Sequence, residues 1–310
     1  MSGHLSNRVH GTESLDEKRI YKWAFLASRM GVWRYDLCDD FWLVSDAAMG
    51  IFGFSEDADV TRESLMASLS SIDRLRVDVA WNMLINDAIP FCIEYEIVGS
   101  QGNSWVWEKA EVEYDKHGVP CRLIGVVQDI SERRVQENDL FFRANFDILT
   151  GLPNRRVLDE FLDKSVAMSR RRNERMALMA IDLDRFKVVN DTHGHAVGDL
   201  VLQMASKRME ACLRASDMVA RQGGDEFIAV LQNIEHDAMA GVVALRIIEE
   251  LSRPYEIHGM NISIGASVGI ALLSDDGIDC EEAKSRADSA LYVAKHNGRE
   301  TLHFFQNEQS

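Results

Sequence analysis

The sequence predicts an α+β/α/β chain: an antiparallel sheet with flanking helices, a helical linker, and a C-terminal two-layer α/β domain. Three observations predict it. Residues 21 to 130 hold strand-like runs separated by turns, residues after Asp129 turn abruptly charged and helical, and helix and strand alternate beyond about 147. Residues 1–20 are polar and irregular and read as a tail. Over 21–130, GVWRYDL, FCIEYEIVGS, SWVWEKAEVEYD and PCRLIGVVQDI read as strands, the middle two by clear alternation. Turns at SQGN (100–103) and DKHG (115–118) separate the last three, and shorter helical patterns fill 45–90. Over 131–146, a linker helix follows, with Asp129 and Glu132 spaced for a capping box. Its apolar positions Ile130, Val135, Leu140, Phe141 and Ala144 do not sustain a heptad.

Within 147–310 the expected order begins with a helix at 154–172, a buried strand at 176–183 and a helix at about 198–214. A hairpin turning at QGGD comes next, then a helix at 237–252 and the strand ISIGASVGIALL. A helix at 281–296, stopped by Gly298, and a last strand, TLHFF, complete it.

With 310 residues there is room for two cores, and a formal charge of −16 argues against broad binding to nucleic acid or an anionic membrane. No signal-like start and no bilayer-length apolar run is present, so a soluble, cytoplasmic chain is expected. Cys38, Cys92, Cys121, Cys212 and Cys280 are widely spaced without a CxxC pair and read as buried free thiols. Acidity is compatible with phosphate ligands, because clustered carboxylates can recruit a divalent metal.

Asp182 ends an apolar strand, where a charge is either exposed at the sheet edge or paired. Asp225 and Glu226 follow Gly223 and Gly224 at a hairpin turn that lets backbone approach a phosphate closely. Hard oxygen donors of this kind suit Mg²⁺ (or Mn²⁺), and two such ions can serve the attacking and leaving oxygens of phosphoryl transfer. Taken alone, such a turn is also an ordinary solvated hairpin.

FDILTGLPNRR (146–156), IDLDRFKVVNDTHGHAVGDLVL (181–202), RASDMVARQGGDEF (214–227) and LYVAKHNGRE (291–300) together resemble, in order, the motifs of GGDEF-domain diguanylate cyclases. The resemblance implies two GTP condensed to cyclic di-GMP, two metal ions per half-site, and a homodimer, since one domain holds one GTP. By the family pattern, Asp182, Asp225 and the Leu183 carbonyl bind metal, Glu226 serves a second ion, and Asp225 is the candidate base. Asn190 and Asp199 match guanine-reading positions, with His195 in the same run; Lys187, Lys295 and Arg299 match phosphate contacts. Arg214 and Asp217 match the RxxD inhibitory product site. Each also has a plainer reading: Asn190 as a turn cap, His195 as a loop residue, Lys295 and Arg299 as helix-end charges, Arg214 and Asp217 as a surface helix end. Asp184 is read either as structural or as a support standing behind the ligand residues, and is assigned no role of its own.

Residues 21–134 resemble a PAS sensor domain, most specifically at VQDISERR, and that family's last segment leads into a signalling helix. The sensed ligand is not fixed by the sequence. His117 falls in a turn, no flavin-adduct cysteine pattern appears, and Trp23, Trp33, Trp42, Trp81, Trp105 and Trp107 read as core packing.

Overall fold

The computed structural model describes residues 23, 28–55, 57–99, 102–273 and 279–306. The expected tail and the first half of the SQGN turn lie outside the described residues. The chain divides into two compact units, Met1–Asn138 and Asp139–Ser310.

In the first unit, β1 (Met30–Asp36), β2 (Phe41–Val44), β3 (Phe91–Gly99), β4 (Gly102–Tyr114) and β5 (Pro120–Asp129) form one antiparallel sheet ordered β2-β1-β5-β4-β3. Helices α1 (Asp46–Phe52), α2 (Arg62–Ala67) and α3 (Ser71–Asp87) occupy the predicted helical stretch. Ser45, Thr61 and Ser70 start them by accepting hydrogen bonds from backbone N–H groups one turn on. Alternation puts Val106, Glu108 and Ala110 of β4 inward with Leu123 and Val127 of β5. Trp33, Trp42 and Trp81 are core, with ring centroids 5.3–5.7 Å apart. Trp23 corrects the expectation, being 69% exposed, and Trp105 is half-buried beneath the Arg134 guanidinium. His117 is exposed in its turn, as read. Strand β2 is new: four residues are too few for alternation to register.

Glu108 is a fully buried carboxyl in this apolar core. Tyr95 Oη donates to Oε2 at 2.7 Å, while Oε1 has no partner. Trp33 Nε1 faces the same carboxyl and favours its charge, but falls outside hydrogen-bonding geometry. Burial outweighs both donors and pushes the Glu108 carboxyl up to about 7. A carboxyl raised on folding stays protonated in the folded chain after the unfolded chain has lost its proton. Stability therefore falls as pH rises from about 4.5 to about 7. The loss is on the order of 3 kcal/mol. Melting curves across that window should show wild type declining relative to Glu108→Gln; parallel profiles would remove the assignment.

Helix α4 (Ser131–Asn145) is the predicted linker, and none of its residues is buried. The capping box does not form. Asp129 Oδ1 accepts from Ser131 N, two residues on, and Glu132 turns away to pair with Arg29. The first turn is held instead by Arg133 and Arg134, both on the Glu94 carboxylate of β3.

In the second unit, α5 (Arg155–Arg172) precedes β6 (Arg175–Asp184), α6 (Phe186–His193) and α7 (His195–Ala211). Strands β7 (Met218–Gly223) and β8 (Glu226–Ile234) form the expected hairpin, followed by α8 (Asp237–Ser252) and a short hairpin of β9 (Tyr255–Ile257) and β10 (Met260–Ile262). β11 (Gly265–Leu273), α9 (Cys280–His296) and β12 (Leu302–Phe304) complete it. The sheet runs β12-β11-β6-β8-β7, antiparallel except for β11 with β12.

The helix-on-sheet architecture is as expected, with one refinement: helices cover both faces. Met176, Leu178 and Ala180 of β6 pack with Leu158 and Leu162 of α5 and Ala287 of α9. Ala177, Met179, Ile181 and Leu183 pack with α7 and α8 on the other side. The helix expected at about 198–214 is α7, which begins earlier, at His195, and α6 before it was not expected; the chain turns between the two at Gly194 (φ 83°, ψ 161°). The thiols are also corrected. Cys212 alone of the five is buried; Cys38 and Cys92 are exposed, Cys121 and Cys280 intermediate.

Candidate active site

The period of two along β6 puts Asp182 and Asp184 on the α9 face of the sheet. Both are buried, at 7% and 5% exposure. A carboxylate there requires a cation or donors. Asp182 has Lys295 Nζ from the last turn of α9 at 2.6 Å. Burial raises the Asp182 pKa, Lys295 opposes the shift, and the nearby charges of Asp225 and Asp184 add to it. The paired reading of this strand-end charge is therefore the correct one.

Glu226 is the cross-strand neighbour of Asp182, and the Asp225 carbonyl accepts from Leu183 N at 3.3 Å. The turn between β7 and β8 passes through Gly223 (φ 152°) and Gly224 (φ 55°), a left-handed step that favours glycine. Arg221 fixes it. Its Nε and Nη2 donate to the Gly224 carbonyl at 3.0 and 2.7 Å, while Nη1 holds Asp147 Oδ1 at 2.8 Å. Burial works against the Asp147 charge, but Thr150 and Arg221 hold its carboxyl below the usual range. The Gly223–Gly224 turn is thus tied to the segment that follows α4. Sequence reasoning gave Asp147 and Arg221 no role, although both lie inside the quoted motifs.

Lys187 and Asn190 lie on α6, His195 and Asp199 on the first turns of α7. Lys187, His195 and Asp199 are exposed, Asn190 half-buried. Asn190 packs so closely on α7 that a methyl at Gly198 would sit 1.9 Å from its Oδ1. Arg299, in the turn after α9, has its Nε 3.8 Å from Asp184 Oδ1. Glu226 is exposed, and its charge, after burial, raises the pKa of Asp288 on α9. Arg214 and Asp217 stand apart, before β7. Asp217 accepts from Arg214 N at 3.1 Å and Gln232 N at 3.2 Å, so its carboxylate serves the local fold, while Arg214 is exposed.

Among the described residues no three His, Cys, Asp or Glu side chains form a ready ligand group. The oxygen donors here are two mutually repelling carboxylates, Asp182, which also carries the Lys295 ammonium, and Asp225, whose backbone carbonyl accepts from Leu183 N. Carboxylate oxygens of this kind suit Mg²⁺ or Mn²⁺ rather than a softer metal.

The family model described as "Diguanylate cyclase, GGDEF domain" matches residues 144–301, half of the chain. The chain belongs to the GGDEF family. Ahead of that match, the model described as "PAS fold" covers residues 41–127. Among relatives of this GGDEF chain, MucR of Pseudomonas aeruginosa, a bifunctional diguanylate cyclase/cyclic di-GMP phosphodiesterase, is 40% identical over 56% of the chain and 25% of its own length. The diguanylate cyclase DgcZ of Escherichia coli is 36% identical over 54% of the chain and 56% of its own length. An uncharacterized signaling protein of Caulobacter vibrioides is 39% identical over 59% of the chain and 23% of its own length. The chain thus spans roughly a quarter to a half of these relatives. Of solved structures, the isolated GGDEF domain of TpbB (YfiN) from Pseudomonas aeruginosa superposes with a TM-score of 0.51 at 36% identity, covering 52% of the chain and 94% of the domain. The coiled coil and GGDEF domain of DgcB from Caulobacter crescentus, in complex with c-di-GMP, gives 0.52 at 28% identity, covering 56% and 93%.

Proposed function

We propose that this chain is a diguanylate cyclase that condenses two GTP into cyclic di-GMP and releases two pyrophosphates, working as a homodimer under the control of its N-terminal domain. The observation that carries the reading is the meeting of buried Asp182, the Asp225 turn and Lys295 on one face of the sheet. Metal held by Asp182, Asp225 and the Leu183 carbonyl, with Glu226 serving a second ion, would supply charge neutralisation to the triphosphate. Asp225 takes the proton from the attacking 3′-hydroxyl. Asn190 and Asp199 hold the guanine edge, with His195 beside them, and Lys187, Lys295 and Arg299 hold the phosphates. Each domain supplies one GTP, so the two reacting nucleotides meet only when two copies face one another.

Arg214 and Asp217 form the product-inhibition site of this reading, and the DgcB structure was solved with c-di-GMP bound. Because Asp217 also serves the local fold, Arg214→Ala is the cleaner probe. It should raise the cyclic di-GMP concentration giving half-inhibition by about tenfold or more, read from initial rates. Unchanged inhibition would leave Arg214 as a surface residue.

A second reading, a catalytically silent module that binds GTP or cyclic di-GMP, is favoured by relatives named as phosphodiesterases, NbdA and PdeR. Incubating the protein with GTP and Mg²⁺ and separating the products by chromatography distinguishes the two. Cyclic di-GMP supports the cyclase; intact, protein-bound GTP supports the silent module.

A further inference from the structure

Asp184 carries a charge that the reaction above does not use, yet it is among the most buried carboxylates in the second unit. Its partners come from two directions. Ser267 Oγ of β11 lies 2.9 and 3.0 Å from its two oxygens, and the backbone N–H of Glu300 donates to Oδ2 at 3.0 Å. Arg299 Nε stands 3.8 Å from Oδ1.

The segment that Asp184 grips is strained. Arg299 (φ 65°) and Glu300 (φ 48°) are consecutive non-glycine residues in the left-handed region, after Gly298 (φ 112°). Such residues cost about 1 kcal/mol or more each and persist only where their surroundings hold them. Two contacts do so here. Asp184 anchors the Glu300 amide, and the Glu300 stem lies across Gly265, the register partner of Asp184, where a methyl would come within 2.3 Å. The turn borders a cavity of about 400 Å³ lined by Asp184, Arg185, Val188, Gly265, Arg299 and Glu300. Arg299 keeps 47% of its side chain exposed.

We propose that Asp184 is a positioning residue for substrate: by clamping the Arg299–Glu300 turn through Ser267 and the Glu300 amide, it aims the Arg299 guanidinium at the triphosphate of GTP. The inference rests on the proposed function, which makes Arg299 a phosphate contact. Asp184 itself touches no substrate. It faces the Nε edge of the guanidinium at 3.8 Å, and about half of the Arg299 side chain stays exposed.

The test is a double-mutant cycle on the full chain, reading GTP affinity with Mg²⁺ by calorimetry and, in parallel, KM and kcat. Asp184→Asn should weaken GTP binding about tenfold and raise KM to match, with kcat within about twofold. Arg299→Ala should weaken binding by a similar factor, and the double variant should be no weaker than Arg299→Ala alone. Multiplicative losses overturn the proposal, as does a fall in kcat at unchanged KM. Should Asp184→Asn fail to fold, Ser267→Ala loosens the same carboxylate: its weaker binding should vanish in the Arg299→Ala background, and wild-type affinity in folded Ser267→Ala overturns the proposal. Wild-type protein that binds no GTP overturns the proposed function, and this inference with it; a wild type that binds, with losses that multiply, overturns this inference alone.

Discussion

If the proposed function holds, replacing Asp225 with alanine lowers formation of cyclic di-GMP by at least about 100-fold while leaving the melting temperature near that of wild type. The separation of the two effects follows from where Asp225 sits. Its contact with β6 is made by its backbone carbonyl, which alanine retains, and the turn is fixed by Arg221 through Gly224. Only the carboxylate is lost, and with it the metal ligand and base of the proposed function. Asp182→Asn is a poorer probe, because it leaves the Lys295 ammonium, 2.6 Å away and one-third exposed, without its counter-charge. Pyrophosphate release and a thermal melt measure both quantities. Activity within about twofold of wild type would remove Asp225 from its role.

Gly269→Ala destabilises the second unit by about 3 kcal/mol or more, though it adds only one methyl group. Gly269 lies mid-way along β11 on the face covered by α9, where a Cβ would come 2.1 Å from both the Ala287 carbonyl oxygen and Leu291 N. These are backbone atoms, so no side chain can rotate away, and the helix itself must lift. Helix α9 carries Lys295, so the same shift pulls the ammonium from Asp182. Chemical denaturation of the full chain should show a lowered midpoint for the transition of this unit. An unchanged midpoint would mean that α9 yields at little cost, contrary to the packing described.

Elements long enough to display a period were legible in the sequence. Strands β3, β4 and β5 alternate over nine to thirteen residues, and the buried run of β6 ends on a conspicuous charge. Among the short elements β12 was legible, but β2, with four residues, and β9 and β10, with three each, were not. Helix α6 was missed because its polar VVNDTH ending precedes Gly194, and the following helix was started late. Local chemistry misled at Asp129 and Glu132, whose spacing suits a capping box but whose side chains found Ser131 N and Arg29.

The candidate site divides the same way. The residue types in the Gly223–Phe227 turn and at Asp182 were readable because each motif is contiguous. What joins them was not. Lys295 reaches Asp182 only because α9 folds over the face of β6. Asp184 had no evident purpose because its partners, Ser267 and Glu300, are 83 and 116 residues away. Glu108 looked like one more polar position in an alternating strand, and only the assembled core makes it a buried acid.

The most direct measurement of the central claim is the stoichiometry of GTP turnover by the purified chain in Mg²⁺. Two pyrophosphates released for each cyclic di-GMP formed, with a rate per chain that rises with protein concentration, is the predicted result. One pyrophosphate for each mononucleotide product, or GTP that remains intact at every protein concentration, would contradict it.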